Sequence, residues 1–179
     1  PNLQFHIQPI STDKLGGANL HDFHAFTPTV ANIRPTSRGE ISISSSDTKV
    51  NPKIKMNYLS TDEDRKVAAD GIKLIRKIVM ETNEFKKYEP EEFRPGSHLN
   101  DKEEIVKACS HYAQTIFHPV GTCKMGNDES AVVSDKLKVH GINKLRVIDA
   151  SIMPNITSGN TNAPTIMIAE KGADMILSA

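Results

Sequence analysis

The stretch LRVIDASIMPNITSGNTNAPTIMIAEKGADMI, residues 145–176, carries the strongest structural signals in the chain. Residues 145–149 form a compact apolar run ending in an acid, which is typical of a buried strand in a parallel or mixed sheet. A polar loop follows, and Pro164 suits the first turn of a helix, where a missing N–H costs nothing. The sequence therefore predicts a strand, a loop and a helix that ends near Leu177. The buried face of that helix is predicted from residues at helical spacing: Ile168, Gly172 and Met175.

A second informative stretch is HPVGTCKMG, residues 118–126, a turn rich in proline and glycine that begins with a histidine. An imidazole titrates near neutral pH, so His118 is a candidate proton acceptor. A structural histidine satisfied by backbone groups is the commoner use of such a position. The loop 158–163 directs backbone N–H groups and the positive end of a helix dipole towards an anionic group. An ordinary capped helix start accounts for the same loop equally well.

Four short segments of alternating character predict an antiparallel sheet in the first third of the chain. The segments are residues 2–8, 24–33, 40–44 and 54–58. In the first of them, Leu3, Phe5 and Ile7 are predicted to form the buried face. The second and third segments are predicted to pair as a ribbon, because the turn residues 34–39 join them.

Two helices are predicted between this sheet and the C-terminal third. Ser60 and Glu63 match a capping box at the start of the first helix. The second helix is predicted from about Asn100 to His118, because Pro119 disfavours helical geometry in the residue before it. The apolar face of the first helix is predicted at Ala68, Ile72, Ile75 and Val79. Together with the strands, these helices predict an α+β fold.

The composition argues against a nucleic-acid partner and a membrane span, and it indicates a reducing compartment. Basic and acidic residues both total 22, and no basic tract predicts a nucleic-acid partner. No apolar run approaches the length of a membrane span. The two cysteines favour a reducing, cytoplasmic compartment. A metal site is not predicted, because Cys109, His111, His118 and Cys123 lack the close pairs of a zinc cluster.

Several stretches together resemble the C-terminal part of the glucose–methanol–choline (GMC) family of flavin-dependent alcohol oxidoreductases. The similarity is closest to the choline-dehydrogenase-like and the aliphatic or aryl alcohol branches of the family. The stretches follow the family's order and are residues 34–47, 51–64, 118–126, 132–154 and 159–176.

This resemblance implies oxidation of a primary alcohol (choline-like, aliphatic or aryl) to an aldehyde, with hydride transfer to N5 of FAD. His118 falls at the family's active-site base position. Asn160 falls where members have a second histidine or an asparagine, and would bind the substrate oxygen. Contacts with FAD are implied for Asp149, Ala150, Thr161, Asn162 and Pro164.

The resemblance also implies a division into domains. Residues 1–117 would form a substrate-binding (cap) domain with an antiparallel sheet, and residues 118–179 the C-terminal part of the FAD-binding domain. The chain lacks the G-x-G-x-x-G fingerprint of a dinucleotide-binding unit. It would therefore need the N-terminal FAD-binding half of the same protein as its partner, either in the same polypeptide or as a separate chain, and is expected to be inactive alone. A non-catalytic ligand- or partner-binding module and a lyase on the same scaffold are the alternatives.

Overall fold

The computed structural model describes residues 1–13 and 19–178, so residues 14–18 and 179 lie outside the described part of the chain. The described residues form helices and two small antiparallel sheets, as the predicted α+β class requires. In chain order the elements are β1 (Leu3–Gln8), β2 (Thr27–Asn32), β3 (Glu40–Ser42), β4 (Lys53–Lys55), α1 (Asp62–Glu81), α2 (Asn83–Lys86), α3 (Lys102–Tyr112), a 3₁₀ helix (Ala150–Ile152) and α4 (Asn162–Leu177). None of the helices described is long and apolar enough to cross a membrane.

The chain divides into two compact units. The first combines Pro1–Ser37 with Tyr58–Ile116, and the second combines Arg38–Asn57 with Phe117–Ala179. The β3–β4 hairpin thus belongs to the same unit as the C-terminal third. The assignment of one part of the chain to substrate and the other to flavin stays a prediction.

In the first unit, β1 pairs with β2 in an antiparallel sheet, and β3 pairs with β4 in the second unit. The predicted pairing of the second and third strands was wrong. The backbone N–H groups of Thr36 and Ser37 each donate to the Asp64 carboxylate at 2.9 Å. The segment after β2 is therefore bound to the start of α1 and does not form the turn of a ribbon.

The predicted buried face of β1 was also wrong for two of its three residues. Leu3 is half-buried, but Phe5 and Ile7 are 38% and 58% exposed. Helix α1 packs on β2, where the absence of a side chain at Gly71 leaves room for Val30. Alternation in the sequence marks one face of β1 as apolar, but it does not show which strand the helix covers.

Helix α1 begins one residue later than the predicted capping box implies. Thr61 is the N-cap, and its hydroxyl accepts a hydrogen bond from the Asp64 N–H. The pair Thr61 and Asp64 therefore stands at the positions predicted for Ser60 and Glu63. Both pairs fit the same sequence pattern, so spacing alone could not choose between them.

Helix α3 begins close to the predicted residue but ends early. Asp101 caps it by accepting from the Glu103 N–H at 2.8 Å. The helix ends at Tyr112, because Ala113 takes an extended conformation, with φ −66° and ψ 142°. The predicted end at His118 was wrong, since Pro119 sets only an upper limit on the length of the helix.

The second unit is built around α4 and the turns that precede it. Its described core consists of Val133, Leu137, Ile152, Met153 and Ile168. The predicted helical face is confirmed, since Ile168 and Gly172 are buried and Met175 packs against the core. Gly172 is needed for this packing, because a Cβ there would stand 2.5 Å from Cγ2 of Ile148.

The predicted strand at residues 145–149 is not formed. A single bridge joins Lys138 to Arg146, and Asp149 already caps the following 3₁₀ helix. An apolar run predicts burial, and Val147 and Ile148 do pack against the core. A strand also requires a neighbouring backbone edge over several residues, which the sequence pattern does not report.

Candidate active site

His118 and Asn160 lie side by side in the second unit, although 42 residues separate them in the sequence. The amide Nδ2 of Asn160 is 2.7 Å from Nε2 of His118. The imidazole is half-buried and the Asn160 side chain is exposed. A titratable nitrogen and an amide therefore share one surface position that a small molecule can reach.

The His118 loop is fixed to the 3₁₀ helix by backbone hydrogen bonds. The N–H groups of Cys123 and Met125 donate to the carbonyls of Ser151 and Ile152, at 3.0 and 2.8 Å. This places the loop containing His118 against the segment that leads into α4. The loop that carries His118 and the segment that leads to Asn160 are therefore held together by backbone hydrogen bonds.

Both chain segments reach the site through residues with left-handed backbone. Phe117, which precedes His118, has φ +65°, and Ser158, two residues before Asn160, has φ +64°. Such conformations cost roughly 1–2 kcal/mol in residues with a Cβ. Strained residues persist where the surrounding structure fixes them, and they are concentrated at functional sites.

Thr161 contacts the other side of the imidazole. Its Oγ1 lies 2.9 Å from Nδ1 of His118, and its backbone N–H points at the same nitrogen from 3.4 Å. The residue is only 6% exposed. Both ring nitrogens of His118 thus have partners in consecutive residues, Asn160 and Thr161.

The start of α4 lies beside these residues. Thr161 is its N-cap residue, but its side chain makes no capping hydrogen bond. Asn162 is the first helical residue and is exposed, and Pro164 stands in the first turn. The first-turn N–H groups and the positive end of the helix dipole can therefore meet an acceptor that carries negative charge.

Comparison with known families shows which family the chain belongs to. The family model described as GMC oxidoreductase matches residues 35–169. The chain belongs to the GMC oxidoreductase family. The match includes His118, Asn160 and Thr161.

Individual relatives agree with this assignment. The oxygen-dependent choline dehydrogenase of Proteus mirabilis (strain HI4320) is 46% identical over 98% of this chain, which spans 31% of that relative. The crystal structure of pyridoxine 4-oxidase from Mesorbium loti matches all of this chain and 35% of its own, with 30% identity and a TM-score of 0.87. An FAD-dependent oxidoreductase from Chaetomium thermophilum matches 84% of this chain and 26% of its own, with 29% identity and a TM-score of 0.79. This GMC chain therefore spans about a third of the length of such relatives.

The residues at the start of α4 suit the flavin of a GMC protein on chemical grounds. A flavin ring presents hydrogen-bond acceptors along its N1–C2=O edge, and uncapped N–H groups at a helix start are matching donors. Asn162 adds an exposed amide, and Pro164, which has no backbone N–H, leaves one position in the first turn without a donor. The roles predicted for these residues stay predictions.

Asp149 and Ala150 lie at the 3₁₀ helix that contacts α4. The Asp149 Oδ1 accepts from the Ser151 N–H at 2.8 Å and from its hydroxyl at 2.5 Å. One carboxylate oxygen is thus used to hold the chain, while the side chain as a whole is exposed. Their predicted contact with FAD stays a prediction.

Within residues 1–13 and 19–178, no group of three or more His, Cys, Asp or Glu side chains could hold a metal ion. Cys109 and Cys123 are free thiols and belong to different units. Burial raises the pKa of the Cys109 thiol, which keeps it protonated and unreactive.

The contact of Thr161 with His118 is the feature that reasoning from sequence missed. Thr161 was predicted to lie beside the flavin, and nothing in its spacing connects it to a residue 43 positions earlier. The available signal was a hydroxyl residue directly after Asn160, at the start of a helix. That signal indicates an N-cap first, so the contact could be found only in the structure.

Proposed function

We propose that this chain is the C-terminal part of an FAD-dependent GMC oxidoreductase that oxidises a primary alcohol to an aldehyde. The observation that carries the proposal is the 2.7 Å contact between Asn160 Nδ2 and His118 Nε2. The substrate classes considered are choline-like, aliphatic and aryl alcohols. Choline is the first to test, because the Proteus mirabilis relative is named a choline dehydrogenase.

His118 would act as the general base. Oxidation of an alcohol removes a proton from the hydroxyl group and a hydride from the adjacent carbon, and the oxygen's electron pair forms the carbonyl. Bound FAD supplies the hydride acceptor, at N5. Nε2 of His118 would take the hydroxyl proton, a step in which a positioned base typically contributes about 10²- to 10⁴-fold in rate.

Asn160 would hold the alcohol oxygen. An amide cannot accept a proton at neutral pH, so proton acceptance falls on His118 alone. The Asn160 N–H that contacts Nε2 would instead donate to the substrate oxygen when an alcohol hydroxyl occupies the position facing the base. That exchange would orient the hydroxyl towards His118.

The start of α4 would bind the flavin edge. The dipole of α4 and its first-turn N–H groups would stabilise negative charge on the N1–C2=O edge of a bound flavin. Thr161, Asn162 and Pro164 would lie beside the ring, and Asp149 and Ala150 would contact the cofactor from the 3₁₀ helix. These are the five residues that the family resemblance implies for FAD.

The N-terminal FAD-binding half is the proposed partner, and the surface area of the chain supports it. The chain exposes 12756 Å². A folded monomer of 19.7 kDa exposes about 8,600 Å², and two separate domains of half that mass expose about 10,400 Å² together. The excess over either value is larger than the roughly 800 Å² that one partner buries in a standard interface.

The β3–β4 hairpin carries exposed apolar side chains that such a partner could cover. Ile41 pairs with Ile54, so both lie on one face of the hairpin, where they are 52% and 61% exposed, and Ile43, directly after β3, is 88% exposed. The opposite face of the paired segment carries polar and charged residues. Contiguous apolar surface of this kind is typical of an interface that another part of a protein covers.

A cytoplasmic location is part of the proposal. It is supported by Cys109 and Cys123, which are free thiols. Free thiols are usual in a reducing compartment.

The test joins this chain, in one polypeptide, to the N-terminal portion of the Proteus mirabilis relative and purifies the product with FAD. Anaerobic addition of choline or another primary alcohol should bleach the flavin and yield one aldehyde for each flavin reduced. The intact relative serves as the positive control. FAD binding without bleaching by choline, aliphatic or aryl alcohols would leave a ligand-binding module, and release of hydrogen cyanide from a cyanohydrin would indicate a lyase.

A further inference from the structure

We propose that Thr161 is a positioning residue that holds the proton of neutral His118 on Nδ1, so that the lone pair on Nε2 faces the substrate position. This inference rests on the proposed function, because it concerns the nitrogen that would accept the alcohol proton. It assigns the Thr161 hydroxyl to the base instead of to the flavin.

The three contacts around the imidazole cannot all be hydrogen bonds in one protonation state. A neutral imidazole has one N–H and one lone pair. The Asn160 amide N–H, 2.7 Å from Nε2, requires a lone pair there. The Thr161 backbone N–H, 3.4 Å from Nδ1, requires a lone pair on the other nitrogen. One of these two contacts must be given up.

Distance decides between them. N–H donors in proteins typically approach their acceptors to about 2.7–3.2 Å, and hydrogen bonds weaken beyond that range. The Asn160 contact lies within it and the Thr161 backbone contact lies outside. The Thr161 hydroxyl, 2.9 Å from Nδ1, can accept as well as donate. Nδ1–H donating to Oγ1 together with Asn160 donating to Nε2 therefore satisfies both short contacts.

The capping pattern of α4 supports the same assignment. An N-cap threonine ordinarily accepts a hydrogen bond from an N–H in the first turn, which stabilises the helix. Thr161 is the N-cap of α4 but makes no such bond. Its hydroxyl is buried, at 6% residue exposure, against His118 instead. The helix thus forgoes a local stabilisation while the contact with the base is made.

The tautomer of His118 determines whether Nε2 can accept the alcohol proton directly. With the proton on Nδ1, Nε2 is free to take the alcohol proton without any prior rearrangement of the ring. After proton transfer, the Nδ1–H of the imidazolium still donates to Oγ1, and a hydrogen bond from a charged donor is stronger than one from a neutral donor. Thr161 would therefore stabilise both the reactive tautomer and the protonated product form.

The tautomer of His118 can be measured on this chain alone, without flavin or alcohol. The chain is labelled with ¹⁵N-histidine, and among its seven histidines the His118 signals are assigned by their loss in His118→Gln. Above the titration of the ring, the wild-type chain should show the proton on Nδ1. Thr161→Ser keeps the hydroxyl and should keep this tautomer, whereas Thr161→Val removes it and should move the proton to Nε2.

A wild-type His118 with its proton on Nε2 would overturn the proposal, even if no variant could be purified. The same tautomer in Thr161→Val and the wild type would overturn it as well. In the joined polypeptide, Thr161→Val should lower the rate of flavin reduction about tenfold, with KM little changed and with Thr161→Ser restoring most of the rate. If the tautomer responds as expected but no alcohol reduces the flavin, the proposed function fails while the role of Thr161 stands.

Discussion

Replacing His118 with glutamine is expected to slow alcohol-dependent flavin reduction by about 10²- to 10⁴-fold, the usual contribution of a positioned general base. Glutamine can hydrogen-bond Asn160 and Thr161 but has no nitrogen that accepts a proton at neutral pH. The flavin content of the joined polypeptide should stay unchanged, because His118 is not among the residues proposed to bind FAD. Anaerobic stopped-flow mixing with choline measures the rate directly.

His140→Gln is the matched control. His140 lies in the same unit, where Nε2 contacts the carbonyl of Gly126 at 3.1 Å, and it is exposed. Its substitution should change the rate of flavin reduction less than about threefold, as expected for a surface residue outside the site. A His118→Gln protein that reduces flavin at the wild-type rate would remove the base from the proposed mechanism.

Replacing Asp64 with alanine is expected to lower the free energy of unfolding by about 3 kcal/mol, because several hydrogen-bond donors would lose a buried, charged acceptor. Asp64 is 4% exposed. Its carboxylate accepts from the N–H groups of Thr36 and Ser37 at 2.9 Å and from the Asn32 amide at 3.2 Å. It thereby joins the end of β2, the segment that follows and the first turn of α1. Urea titration of the whole chain, followed by circular dichroism, measures the change.

The same carboxylate predicts a dependence of stability on pH. Burial raises the pKa of Asp64, but hydrogen bonds from Ser37 and Thr36 outweigh burial and leave the pKa below its ordinary value. A folded-state pKa below the unfolded value means that the stabilisation is complete above the unfolded pKa of about 4. It is lost as the pH falls through the folded-state pKa. Between about pH 6 and pH 3, the wild type should therefore lose more stability than Asp64→Ala.

Asp70→Ala is the control for this prediction. Asp70 stands on the same helix but is exposed, and its ion pair with Lys66 has an N–O distance of 2.7 Å. Exposed pairs of this type contribute about 0.5 kcal/mol or less. Equal losses of stability in the two variants, or parallel pH profiles of Asp64→Ala and the wild type, would contradict the role given to Asp64.

Local signals in the sequence predicted the helices better than the strands. Pro164 and the spacing of Ile168 and Gly172 located α4, because helix starts and helical faces depend on nearby residues. The pairing of β2 and the exposure of Phe5 depend on elements far away in the sequence. A pattern of period two reports neither the partner of a strand nor the element that covers it.

At the candidate site, too, the sequence did not report contacts between residues that are far apart in the chain. Local reasoning on His118 favoured a structural histidine, and only the family resemblance connected it to Asn160. The structure brings the two side chains within 2.7 Å of each other. It also adds the contact of Thr161 with Nδ1, which no spacing rule could supply, because an N-cap threonine ordinarily serves its own helix.

The central claim is that His118 and Asn160 face an alcohol together. It is tested most directly by a crystal structure of the joined polypeptide with FAD and a non-reactive choline analogue that keeps the hydroxyl group. The account predicts that the hydroxyl oxygen lies within hydrogen-bond distance of both Nε2 of His118 and the Asn160 amide, about 2.6–3.2 Å from each. An analogue whose hydroxyl binds other side chains, with the imidazole of His118 turned away from it, would contradict the account.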